Sequence, residues 1–131
     1  MKTRIITLAV LLSLQLLYCK AGSSVSNPQH ITVHHPQQDY PFFNAYRMGR
    51  DVSVNWMFNN PILVVFFHVE RSTDGVNFTP IVEITPTSNF FFRYRDKTVT
   101  QGTFYYRIVA YQHDGAVLYS RTDVIHIGRR C

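Results

Sequence analysis

Cysteine is almost absent from this chain of 131 residues: there are two, Cys19 and Cys131. A disulfide framework is therefore excluded, and the fold must be held by its core. Glycine-rich phosphate loops are missing, as are a Gly-x-Ser-x-Gly nucleophile turn and a His-Glu-x-x-His pair, which removes the common signatures of nucleotide, esterase and zinc-protease chemistry. Charged residues make up only 16% of the chain, and the eight acidic ones are scattered, so nothing marks a catalytic carboxylate pair. No catalytic residue, cofactor site or metal site is assigned. After the first twenty residues no apolar run approaches the roughly 20 residues that a membrane-spanning helix needs.

The first 22 residues have the pattern of a secretory signal peptide. Lys2 and Arg4 form a positive start, Ile5 to Leu17 an apolar stretch, and Ala21, Gly22, Ser23 and Ser24 a small-residue region for cleavage. Two readings of Cys19 stand. Cleavage after Ala21 or Ser23 removes it. As a lipoprotein cysteine, with Leu16 at −3 but a bulky Tyr18 at −1, it would carry lipid and tether the protein to a membrane. The expected location is exported, either secreted or in the periplasm and envelope. The formal charge of +5 then shrinks. Lys2, Arg4 and Lys20 precede the cut, leaving a net charge of about +2, too small to argue for nucleic acid. Cys131 is an unconstrained terminal thiol, with pairing between chains as the alternative.

What the sequence has in abundance is aromatic and β-branched residues, with ten Phe and eight Tyr, the composition of strands. Residues 23–39 read as a polar, proline-containing arm, with a short edge strand at Ile31 to Val33. Residues 40–131 read as one β domain. Strands are expected at Tyr40 to Tyr46, Asp51 to Phe58, Ile62 to Val69, Phe78 to Ile84, Phe90 to Arg95, Thr103 to Gln112 and Ala116 to Ile127, the last with a bulge or bend near Arg121 to Asp123. Val52, Val54 and Trp56 alternate with Ser53 and Asn55, so Trp56 is the expected core anchor. Asp74-Gly75 and Asp114-Gly115 supply hairpin turns. The run Ile62 to Phe67 is expected to be a strand buried on both faces. Seven strands, short turns and no amphipathic helix predict an all-β, two-sheet antiparallel sandwich.

These residues resemble a fibronectin type III-like domain, an immunoglobulin-like sandwich, of bacterial exported proteins. The likeness runs from Phe43 to Ile127. It rests on Val52-x-Val54-x-Trp56, Phe67-x-Val69-Glu70-Arg71-Ser72-x-Asp74-Gly75-x-x-Phe78, Tyr94-x-Asp96, Phe104-Tyr105-Tyr106-Arg107-Ile108 and Asp114-Gly115-x-x-x-Tyr119-Ser120. The resemblance implies a two-sheet sandwich with adhesive or spacer roles. In that family a Tyr commonly opens the sixth strand and bonds back to the preceding corner. By spacing that place falls to Phe104, so either Tyr105 takes the role or the bond is missing. The apolar segment Ile62 to Phe66 also departs from the polar loop usual there.

None of the six histidines is assigned as a metal ligand or a general base. His34 and His35 point opposite ways on an extended segment, and His68, His113 and His126 fall on separate elements. Glu70, Arg71, Arg93, Arg95 and Arg107 are expected to form cross-strand charge pairs worth about 0.2–1 kcal/mol each, with an Arg-lined surface for an acidic glycan as the alternative. The aromatic surplus is the feature with functional content. Strand alternation cannot turn every ring inward, and Phe42, Phe43, Phe66 and Phe91 are the candidates for an exposed interaction surface. The expected function is a non-catalytic interaction module for an unidentified protein partner, through a sheet face or edge strands. A surface glycan bound on Tyr and Phe is the alternative.

Overall fold

The computed structural model describes residues 36–129. The expected leader, Cys19, Cys131, the histidines of the arm and the strand at Ile31 to Val33 lie outside the described residues. Alternating sequence becomes alternating burial in two antiparallel sheets. Strands β1 (Phe42–Met48), β2 (Asp51–Met57) and β5 (Phe91–Asp96) form a three-stranded sheet in the order β1-β2-β5. The five-stranded sheet runs β4-β3-β6-β7, with β8 also paired to β6. Its strands are β3 (Val64–Ser72), β4 (Thr79–Ile84), β6 (Gly102–Gln112), β7 (Val117–Tyr119) and β8 (Asp123–Ile127). The expected all-β sandwich is what the chain forms.

The inner faces meet on aromatic rings. Trp56 is fully buried, stacked on Phe92 at 5.6 Å between centroids and edge-on to Phe67 at 5.7 Å. Phe58 packs edge-on to Phe67 and Tyr40. Ser53 and Asn55, on the other face of the strand as read from the alternation, are also buried. β2 is the central strand, and Tyr46 and Arg95 flank Ser53, and Asn44 and Arg93 flank Asn55, in register.

Four departures from the sequence reading have local causes. Residues 36–39 form one helical turn rather than an extended arm. It is held by Tyr40 N–H on the Pro36 carbonyl and by Asn59 N–H on the Asp39 carbonyl, both 3.1 Å. Tyr40 and Pro41 precede the first strand, and Tyr40 is buried with its hydroxyl donating to the Leu118 carbonyl at 2.8 Å. The run from Ile62 starts not as a strand but as a 3-10 turn at Pro61–Leu63, where proline presets φ and has no N–H to give a ladder. The seven expected strands become eight because the last one breaks, at the position where a bend was expected. Val109 pairs with Tyr119 and Tyr106 with Asp123, so three residues of this strand oppose two of β6. Ser120 fills the break: its hydroxyl accepts from Ile108 N–H at 2.8 Å and donates to the Arg121 carbonyl at 2.7 Å.

The β3–β4 connection is an Asp-Gly turn, as read from sequence. Asp74 accepts from the backbone of Asn77 and Val76, the Asn77 amide and the Ser72 hydroxyl, and these bonds hold its carboxyl well below the usual carboxylate range. Gly75 takes φ +77°, and a Cβ there would lie 3.1 Å from the Tyr105 ring.

Candidate functional site

Two of the four expected surface rings come together. Phe42, Met57 and Phe91 are in register across β1, β2 and β5, all outward, with the phenyl centroids of Phe42 and Phe91 6.2 Å apart. Phe91 is 45% exposed. Phe43 does not belong to this surface. It shares the inner side of β1 with Ala45 and is only 3% exposed, so it is a core residue. Phe66 lies on the outer side of the other sheet, half-buried between His68 at 4.9 Å and Tyr111 at 4.7 Å.

The row Phe42–Met57–Phe91 sits at one end of its strands, and the apolar surface continues over that end. Phe90, next in chain to Phe91, is 57% exposed, and Ile62, on the 3-10 turn, is 84% exposed. The two line a shared groove of about 600 Å³ with Pro61, Val64 and Pro86. Leu63 and Val65 are exposed beside it. Sequence reading placed Ile62 and Leu63 in a buried strand. The signal that could have corrected this is Asn59-Asn60-Pro61, a turn former that delays the strand to Val64.

The arginines expected in cross-strand pairs largely find carboxylates. Arg107 Nε donates to Glu70 at 2.7 Å, directly opposite in register, and its guanidinium lies over the rings of Phe78 at 4.0 Å and Tyr119 at 4.7 Å. Arg95 pairs with Asp51 at 2.6 Å. Arg71 instead crosses between sheets to Asp96 at 2.7 Å. Arg93 donates to the Asn55 amide oxygen at 2.9 Å. These pairings tie the arginines to structural work.

Asp96 is the most heavily bonded buried group. It is fully buried at the end of β5 and accepts from the Arg71 guanidinium, the Tyr106 hydroxyl at 2.9 Å, and the hydroxyl and N–H of Thr98. Burial pushes its carboxyl up, but the bonds from Thr98, Tyr106 and Arg71 outweigh this and hold it below the ordinary value. The expected corner tyrosine is thus neither Phe104 nor Tyr105. Alternation along β6 turns Phe104 and Tyr106 inward, and only Tyr106 carries a hydroxyl that reaches the corner.

The described histidines stay apart. His68 sits between rings with Nε2 3.6 Å from Glu83, and His126 contacts the Thr103 hydroxyl. Among the described residues no group of His, Cys, Asp and Glu gathers in metal-binding proximity. No helix of the described residues is long and apolar enough to cross a membrane. What this arrangement offers is surface for binding: an apolar end on the three-stranded sheet, and an opposite sheet face carrying Phe66, Tyr111, Tyr119 and Arg107.

No protein-family profile matches the chain, and no curated protein matches it. Solved structures do. A Fn3-like protein from Clostridium thermocellum is 23% identical with a TM-score of 0.51, the match covering 68% of this chain and 91% of that one. A β-1,2-glucanase from Parabacteroides distasonis is 20% identical with a TM-score of 0.55, over 71% of this chain. A pectate lyase from Pectobacterium carotovorum is 19% identical with a TM-score of 0.54, over 67%. The chain spans 13% and 27% of the lengths of these two enzymes. At such identities the likeness is one of fold: this is a Fn3-like β-sandwich.

Proposed function

We propose that this chain is a small exported, non-catalytic binding module that engages a protein partner at the cell envelope through the apolar end of its three-stranded sheet. The observation that carries this is the outward row Phe42, Met57 and Phe91, continued by Phe90 and Ile62 around the groove. Contiguous exposed apolar surface costs solubility and marks interaction sites. Site-specific photo-crosslinking in the native host tests it, with the crosslinking amino acid at Met57 in one strain and at Tyr119 on the opposite sheet in another. A discrete protein adduct at position 57, absent at 119 and lost on adding Phe91→Ser, is expected. Adducts at neither position, or the same at both, overturn the reading.

A second reading, a carbohydrate-binding module, draws on two of the similar structures being enzymes named for acting on glycans. It draws also on the exposed polar residues Asn44 and Arg93, in one row beside the exposed rings of Phe42, Phe91 and Tyr46. Retention on a glycan array that Phe91→Ser abolishes, without a protein adduct at Met57, would favour it. Export itself is read from the first 22 residues. Intact mass of the mature protein separates a start after Ala21 or Ser23 from an acylated start at Cys19, which alone would place it on a membrane.

A further inference from the structure

Charge is sorted along this sandwich. Arg71, Arg95, Arg107 and Arg121 each pair with a carboxylate. The other described Lys and Arg residues, Arg47, Arg50, Arg93, Lys97 and Arg129, form no ion pair among the described residues, and all but Arg93, which stands two residues from Phe91 in β5, lie toward one end. That end is opposite the apolar groove: it is where β1 turns into β2, where the corner after β5 runs, and where β8 finishes. There Arg47, Arg50 and Arg129 line a cleft of about 350 Å³ whose other walls are Val99 to Gln101, Ile127 and Gly128, with no carboxylate in the lining. Two of the three guanidinium groups are aimed. Arg47 Nε donates to the Gly49 carbonyl at 2.9 Å, and Arg129 Nε to the Gln101 amide oxygen at 3.2 Å. Anchoring through Nε leaves the paired Nη donors of each fork, a geometry that fits a carboxylate in bidentate fashion.

The cations do not stop at the cleft. Lys97 stands in the same corner as Val99. On the outward face of the three-stranded sheet, Arg95 lies in the row with Ser53 and the exposed ring of Tyr46, and Arg93 in the next row, a step of about 7 Å along the strand; each is held through Nε, by Asp51 and by Asn55, which leaves Nη donors outward. A track of spaced guanidinium groups with one exposed ring suits a chain bearing regularly spaced carboxylates. Arg47, Arg50 and Arg129 share the cleft with no carboxylate in its lining, and like charges so held cost stability, so a ligand that neutralises them binds with gain.

The geometry points to this end as a binding site for an acidic polysaccharide, one rich in uronic acids, independent of the apolar end assigned above. The cleft presents no aromatic ring for base stacking, which single-stranded nucleic acid uses. The test is affinity electrophoresis of the full chain in gels containing polygalacturonate, with poly-glutamate, oligothymidylate and a neutral glucan in parallel. Polygalacturonate is expected to retard the protein. The double variant Arg50→Gln/Arg129→Gln is expected to bind about tenfold more weakly or worse, the loss of two charge-assisted contacts. Arg121→Gln, which removes one charge away from the cleft, is expected to bind as the parent does. Three results would overturn the assignment: no retardation by polygalacturonate, equal weakening by Arg121→Gln, or binding of poly-glutamate or oligothymidylate as strong as that of polygalacturonate.

Discussion

Replacing Tyr106 by Phe removes one buried oxygen at the corner after β5 and nothing else. The ring stays, so no cavity opens, and Asp96 keeps its bonds from Arg71 and Thr98. What is lost is the 2.9 Å bond from a buried hydroxyl to a buried carboxylate. Hydrogen bonds to charged groups are worth about 1.5–3 kcal/mol, so the variant should lose that much, near the lower figure because three donors remain. For a domain of this size about 1 kcal/mol lowers Tm by roughly 4–8 °C. The pH dependence adds a second readout. The Asp96 carboxyl is held below its unfolded value, near 3.9. Its stabilisation is therefore fully present above about pH 4 and is lost as pH falls through the folded value, where the unfolded chain binds more protons. With one depressing bond gone, the variant should lose less stability than the parent between neutral and acid pH. Urea melts of both proteins at neutral pH and along the acid limb measure the two effects together. Equal stability at pH 7, within about 0.5 kcal/mol, together with parallel acid limbs, would refute the role given to this bond.

Trp56→Ala should cost about 3–5 kcal/mol, since the ring is fully buried among Phe67 and Phe92; a melt unchanged from the parent would contradict the core assignment. Gly75→Ala should destabilise by roughly 1–2 kcal/mol, from φ +77° and from a new Cβ 3.1 Å from the Tyr105 ring. Denaturant midpoints would show it, and the double variant with Tyr105→Ala should recover only the contact part. Phe43→Ser and Phe91→Ser separate the two sides of one sheet. The first removes a core ring and should cost about 3 kcal/mol or more. The second should leave stability within about 0.5 kcal/mol, and thermal melts of the two side by side decide.

Much of the sandwich could be read from the chain because a strand with one wet face writes its burial into alternate residues. Val52, Val54 and Trp56 are the clear case. The reading fails where that code is silent. Ile62 to Phe67 is apolar on every residue, so periodicity could not show that Pro61–Leu63 is a turn and Ile62 a surface residue. Phe43 beside Phe42 offered two equal rings, and only the register of β1 on β2 decides that Phe43 goes in. The corner bond went to Tyr106 rather than Tyr105 for the same reason, a shift of one residue reversing the face. Arg71 reaching Asp96 across the sheets, and the cleft of Arg47, Arg50 and Arg129, join residues distant in sequence. No local pattern encodes such meetings; they follow from how the sheets close on each other.

The edges of the sheets decide which mode of association is open. An unpaired strand edge is a template for another chain, and edge strands were among the surfaces expected to bind. The β1 edge is occupied: Ala45 N–H donates to Asp123 at 2.9 Å, and the Arg121 guanidinium donates to the Phe43 carbonyl. β4 carries Pro80 and faces a bulge at Val69/Glu70, and β7 and β8 are interrupted at 120–122. β5 places Arg93 and Arg95 along its short length, charges that disfavour edge pairing. Strand addition is thus blocked or penalised on every side, while the apolar row Phe42–Met57–Phe91 is left open on a face. The partner sought in the crosslinking experiment should accordingly present an apolar surface of its own rather than an extended strand.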